Sequence, residues 1–183
     1  MFQKMNLLSL LSVSFICAGS PALAKIQEFK LKDEAVKLDL PVDWQNLNDF
    51  LGVPLTLMSP KGTSGNRTVI HVTPYGVTDK DDLLKKIPKD PEAYVKLKED
   101  WLEELGEQSL SYDSFHEEST NGSTVYSIGM SYEVDGDKFH EQTFFVSDKN
   151  KRIYFISALS PLDQDNQTQN TVKAVARSIA SAK

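Results

Sequence analysis

Three histidines, a single cysteine and an excess of carboxylates make up the reactive inventory of this 183-residue chain. A metal site needs His, Cys or carboxylate ligands converging at short range. His71, His116 and His140 stand far apart, with no i, i+4 partner, although His140 adjoins Glu141 and His116 precedes Glu117-Glu118. They would meet only if strand register brought them together. Otherwise they are three independent histidines, each able to tune stability near its ordinary pKa of about 6.5. A serine hydrolase wants its nucleophile on a strained Gly-x-Ser-x-Gly turn. Ser64-Gly65, between Thr63 and Asn66, reads as a plain loop. Gly62-x-x-Gly65 leads into a strand rather than a helix, so it does not form a phosphate cradle.

The carboxylates have structural explanations. Asp79, Asp81 and Asp82 fall at a helix start, where negative charge complements the dipole. Glu99, Asp100, Glu103 and Glu104 form one acidic helix face, a solvated surface, a docking patch for a basic partner or a weak attractor of calcium. Asp163, Asp165 and Asn166 match a calcium loop in part, but lack its glycine and distal glutamate. Trp44, Tyr94, Trp101 and Tyr126 suit a core better than a ligand pocket at their helical and strand spacings. Asn66-Arg67-Thr68, Asn121-Gly122-Ser123 and Asn166-Gln167-Thr168 are sequons that matter only on a eukaryotic secretory route. No catalytic, cofactor-binding or metal-binding residue is assigned on these grounds.

The N-terminus has the form of a leader. Lys4 precedes an apolar run from Leu7 to Ala18, and Ala22-Leu23-Ala24 is a small-residue cleavage site. The run is shorter than the roughly 20 residues that cross a bilayer. Residues 1–24 are therefore read as a signal peptide and 25–183 as one domain, periplasmic or secreted. Cys17, the only cysteine, leaves with the leader, and Ile16 before it does not suit a lipobox. The mature chain would have no disulfide and no thiolate. A formal charge of −6 without a basic block argues against nucleic acid and anionic lipid surfaces as partners.

The elements follow from periodicity. Thr124–Val134, Lys138–Val146 and Arg152–Leu159 read as a three-strand meander, turning at Asp135-Gly136-Asp137 and at Ser147-Asp148-Lys149-Asn150. Tyr126, Ile128, Met130, Tyr132 and Val134 alternate onto one face. The last strand is apolar on both sides, with Ile153, Phe155 and Leu159 against Tyr154, Ile156 and Ala158, as befits a central strand. Earlier strands are expected at Val36–Leu40, Gly52–Ser59 and Arg67–Thr73, with Lys25–Asp33 a short strand or arm and Leu110–Glu117 a weaker strand. A short helix runs from Thr78 through Lys86. A second starts at Asp90-Pro91 and stops at Gly106, with Tyr94, Leu97, Trp101 and Leu105 on its apolar face and Leu102 beside them. A terminal helix spans about Asp165–Ala180, with Val172, Val175, Ala176 and Ile179 inward and Lys173 and Arg177 outward. This order predicts an α+β fold, a mainly antiparallel sheet with helices packed on both faces.

Several stretches together resemble the PsbP-like family, which includes the Ran-binding Mog proteins and the envelope protein DcrB. They are Leu40-Pro41-x-x-Trp44, Gly52-x-x-Leu55, Ser59-Pro60, the Asn66–Val72 strand, Ile153-Tyr154-Phe155-Ile156 and the closing Arg177-Ser178-Ile179. The resemblance spans most of the mature chain and carries no site residue across. It implies a sheet sandwiched between helices. It also implies a non-enzymatic, exported accessory or binding protein of the bacterial cell envelope that docks on a partner complex. The absence of a lipobox departs from the DcrB-like lipoproteins. The alternative is a small-ligand or metal-ion binder using a sheet–helix cleft.

Overall fold

The computed structural model describes residues 24–31, 34–62, 65–77, 91–120, 122–162 and 166–181. The leader with Cys17, the Thr78–Lys86 helix with its three aspartates, Asp90, Ser64, Asn121, Asp163 and Asp165 lie outside them. Ten strands are described: β1 (Ala24–Leu31), β2 (Glu34–Pro41), β3 (Gln45–Phe50), β4 (Val53–Met58), β5 (Val69–Val77), β6 (Gln108–Tyr112), β7 (His116–Thr120), β8 (Ser123–Val134), β9 (Asp137–Ser147) and β10 (Arg152–Pro161). Two helices accompany them, α1 (Pro91–Leu105) and α2 (Asn166–Ser181). Among the described residues no helix is long and apolar enough to cross a membrane.

β1 and β2 form a separate hairpin, and the other strands make one sheet in the order β3-β4-β5-β10-β9-β8-β6, with β7 also on β8. Every described pairing is antiparallel. The fold is thus α+β and built on a mostly antiparallel sheet. β10 lies between β5 and β9, which explains why it is apolar on both sides.

The meander forms as expected, with one correction. Asp137 belongs to β9, paired with Val134, so the turn holds only Asp135 and Gly136. Both have positive φ, 53° and 82°, the backbone of a type I′ hairpin. The β9–β10 turn is tied by the buried Asp148 carboxylate, whose Oδ1 accepts from the amides of Asn150 and Arg152 while Oδ2 accepts from Arg152 Nε. α1 stops where Gly106 adopts φ 78°, with Gly106 N–H bonded to Glu103 O and Glu107 N–H to Leu102 O. That is the paired-bond C-terminus of a Schellman motif.

Two further expectations are corrected, and one strand, β3, is not foreshadowed by the sequence. Leu110–Glu117 is not one strand but parts of two. β6 and β7 break at 113–115 and share the long edge of β8, pairing with Met130–Glu133 and Ser123–Ser127 respectively. β3 has no apolar alternation, because as an edge strand with exposed side chains it is held by backbone pairing to β4. On α1 the side chains of Tyr94 and Leu97 lie outside the described ones; among the described side chains Val95 and Leu102 are buried, whereas Trp101 and Leu105 are 41% and 51% exposed.

The core has two main clusters and a small third one of Tyr126 and Ile153, with Phe115 and Phe145 against them. The larger cluster joins the β1–β2 hairpin (Leu31, Leu38, Leu40) and the α2 stripe (Val172, Val175, Ala176, Ile179) to Leu57, Ile70, Phe144, Tyr154, Ile156 and Ala158. The smaller joins Val95 and Leu102 of α1 to Ile128, Met130 and Tyr132, with Phe139 and Leu159 against them. Along β10, Tyr154, Ile156 and Ala158 belong to the larger cluster, whereas Ile153 and Leu159, of opposite parity, pack with the third and the smaller one.

Candidate functional site

Cross-strand partners share a face of the sheet, so register decides which polar residues meet. His71 pairs with Ser157, which pairs with Thr143. His140 pairs with Ser131 and Ser160, and His116 with Ser127. His71 therefore points to the side opposite His140. His116 and His140 share a side but are separated by four residues along β8, about 13 Å. The three histidines do not converge, and among the described residues no group of three His, Cys, Asp or Glu is placed to hold a metal.

Register does create an arrangement that the sequence did not suggest. Ser131 Oγ lies 2.9 Å from His140 Nδ1, and His140 Nε2 lies 3.4 Å from Asp113 Oδ2. Gly129 makes this possible, since a Cβ there would stand 2.5 Å from Asp113 Oδ2. The amide of Asp113 donates to Gly129 O at 2.8 Å, pinning the β6–β7 connection across β8. Hydroxyl, imidazole and carboxylate are the parts of a hydrolytic triad, but Ser131 sits in mid-strand with β9 on one side and β6 on the other. Its neighbouring amides belong to the ladder rather than to an oxyanion hole, which needs free N–H groups aimed at one point. The geometry suits a clasp holding the β6–β7 connection.

A cleft of about 300 Å³ opens between β7, β8 and α2. Its floor is Val125, Ser127 and Phe144, and its rim is His116, Glu117, Glu118, Lys173 and Arg177. Arg177 Nε and Nη2 both donate to Glu118 Oε2, at 3.0 and 2.8 Å. Lys173 and Arg177 stand four apart on the exposed side of α2, as their spacing predicts. The site mixes both signs of charge over an apolar floor.

The third polar assembly lies under α1. Lys98 Nζ donates to both oxygens of Glu141 at 2.8 Å, and Tyr132 O–H donates to Glu141 Oε2 at 3.2 Å. The Lys98 ammonium also sits 5.3 Å from the Trp101 ring centroid, and Trp101 meets Tyr132 edge-on at 5.8 Å. Trp101 and Tyr112 of β6 are both about half exposed, at 41% and 54%. Glu99, Asp100, Glu103 and Glu104 are all exposed beside them. Of the other aromatics singled out in the sequence, Trp44 and Tyr126 are buried, and the Tyr94 side chain lies outside the described ones. Tyr126 stacks on Phe115, and burial together with the neighbouring Glu117 carboxylate raises its pKa.

No family model matches the chain, and no curated protein matches its sequence. Among solved structures it is similar to PsbP (CyanoP) of Synechocystis sp. PCC 6803, with a TM-score of 0.58 and 15% identity, covering 88% of this chain and 95% of that one. Looser matches are Mog1p, a Ran-binding protein of Saccharomyces cerevisiae (TM-score 0.48, 10% identity, 86% and 96% covered), and LpqN of Mycobacterium tuberculosis, described as involved in cell envelope biogenesis (0.47, 16%, 87% and 84%). The chain has the PsbP-like fold that its turn residues and strand pattern resemble.

Proposed function

We propose that the protein is an exported, non-enzymatic accessory module that docks on a partner protein in the bacterial cell envelope. One observation carries the reading: large apolar side chains are left in solvent at the sheet margins, Trp101, Leu105 and Tyr112 at one side and Phe50 and Leu51 at the β3–β4 tip. Scattered exposed apolar residues are ordinary, whereas grouped ones with a polar rim are typical of interaction surfaces. The PsbP-like fold and the leader-like N-terminus support the same reading. The opposite parity of Ile156 in the α2 cluster and Leu159 against the α1 cluster supports a layered arrangement with one helix flanking each face.

The test is photo-cross-linking in the native host, with benzoylphenylalanine at position 101 or 51. A discrete adduct of higher mass is expected from at least one position. No adduct from either position would overturn the docking reading. Intact mass of the protein recovered from the envelope fraction tests the leader, with Lys25 expected as the first residue.

A small-ligand binder is the second reading, favoured by the cleft beneath α2. Its volume reaches the lower end of the range for ligand pockets.

A further inference from the structure

Resting on the docking reading, we propose that the α1–β6 margin seats a cationic, apolar-anchored peptide segment of the partner protein. Trp101 and Leu105 are four apart on α1 and both half exposed, adjoining the buried Leu102. Register puts Tyr112 opposite Met130, a residue of the α1-side core, so its ring stands on the same side of the sheet. These three side chains offer an apolar strip at the sheet margin. Aromatic residues are the commonest anchors of protein interfaces.

Charge selects the occupant. Asp100 and Glu104 run beside the Trp101–Leu105 strip, also four apart, and Glu103 joins them. α1 carries five carboxylates against two lysines, and one of those lysines, Lys98, is held by Glu141. The placement is against the helix's own interest. Its last turn contains no basic residue, yet Glu103 and Glu104 sit there, at the negative end of the dipole. Helix stability therefore does not account for these acids. A lysine- or arginine-bearing segment would relieve both the mutual repulsion and the dipole conflict, while its apolar residues cover Trp101 and Leu105. An acidic segment would meet repulsion on every side, so the surface also discriminates.

The probe is a synthetic amphipathic peptide of lysine, leucine and alanine, titrated calorimetrically into the full-length protein, with its glutamate-for-lysine counterpart as control. Saturable binding of the lysine peptide, weakening as salt rises, is expected, with none for the glutamate peptide. Asp100→Lys/Glu104→Lys should weaken binding about tenfold or more, and Trp101→Ala/Leu105→Ser should abolish it. Asp43→Lys, on the exposed β2–β3 turn, should leave it unchanged. Circular dichroism of each variant confirms folding. No saturable binding, or equal weakening by Asp43→Lys, would overturn the proposal. The cross-linking arms separate the two levels. An adduct from position 51 with none from 101 sinks this site and leaves the docking reading standing, and no adduct from either sinks both.

Discussion

The core cluster that α2 joins and the core cluster that α1 joins draw on one sheet but differ in finish. On the α2 side, aliphatic residues from the β1–β2 hairpin, α2 and four strands close on one another, and nearly all are fully buried. In the α1 cluster, Val95 and Leu102 are the buried residues among the described side chains of the helix, an ion pair lies beneath it, and Trp101 and Leu105 are half exposed. The extra layer explains the contrast. The hairpin packs against α2 through β2, where the Asp39 amide also donates to Ser178 Oγ, and no described element outside the sheet does the same for α1. A side finished in this way contributes stability, whereas a side left open has surface to offer.

The sharpest way to break this contrast is to cut the same side chain from each core. Leu57→Ala should cost about 4 kcal/mol, because its sealed neighbours cannot collapse into the void. Leu102→Ala, equally buried but on a helix with water at its flank, should cost about 2–3 kcal/mol, since α1 can settle inward. Urea unfolding of both variants checks the order. Equal costs would mean that α1 is as firmly seated as α2.

A smaller effect probes the ion pair under α1. Glu141→Gln keeps the shape and removes the charge, leaving Lys98 without its carboxylate and Tyr132 with a weaker acceptor. Lys98 keeps some access to water, so the loss should be about 1–2 kcal/mol. Lys98→Met in the Glu141→Gln background should recover part of it, measured as a double-mutant cycle. Full additivity of the two changes would show that the pair contributes nothing beyond packing.

What could be read in the sequence follows the same divide. The two-sided run Ile153–Leu159 announced the central strand, and the Val172–Ile179 stripe announced the helix that buries it, because complete burial imprints a period on the residues. The Pro91 start and Gly106 stop of α1 were equally plain. On α1 the period places Leu102 near the core, where it is buried, but hydrophobicity alone does not tell it from Trp101 and Leu105, which are apolar and half exposed. Gln45–Phe50 left no trace, since an edge strand exposed on both faces is specified by its backbone. The Ser131–His140 pairing was within reach. A two-residue Asp135-Gly136 turn sets Val134 against Asp137, which fixes Ser131 opposite His140. Placing Asp137 in the turn concealed that register. The approach of Asp113 over Gly129 and the meeting of Arg177 with Glu118 depend on contacts between distant segments, which no local pattern encodes.

The mildest test concerns His71, on the side of the sheet away from α2. It is half-buried, and its cross-strand neighbours, Thr56 and Ser157, bear no charge. Thr56 Oγ1 is buried without a hydrogen-bond partner. Burial with no carboxylate in those positions disfavours the imidazolium and lowers the His71 pKa below 6.5. The unfolded chain then binds the proton more readily than the folded one. The stabilising contribution is complete above the unfolded value and is lost as pH falls from about 6.5 through the lower folded value. Stability measured by urea unfolding should decline across that window, and His71→Gln should flatten the decline while leaving the unfolding midpoint at pH 8 nearly unchanged. A decline that persists undiminished in His71→Gln would assign the titration to another group and remove His71 from the contrast between the two sides.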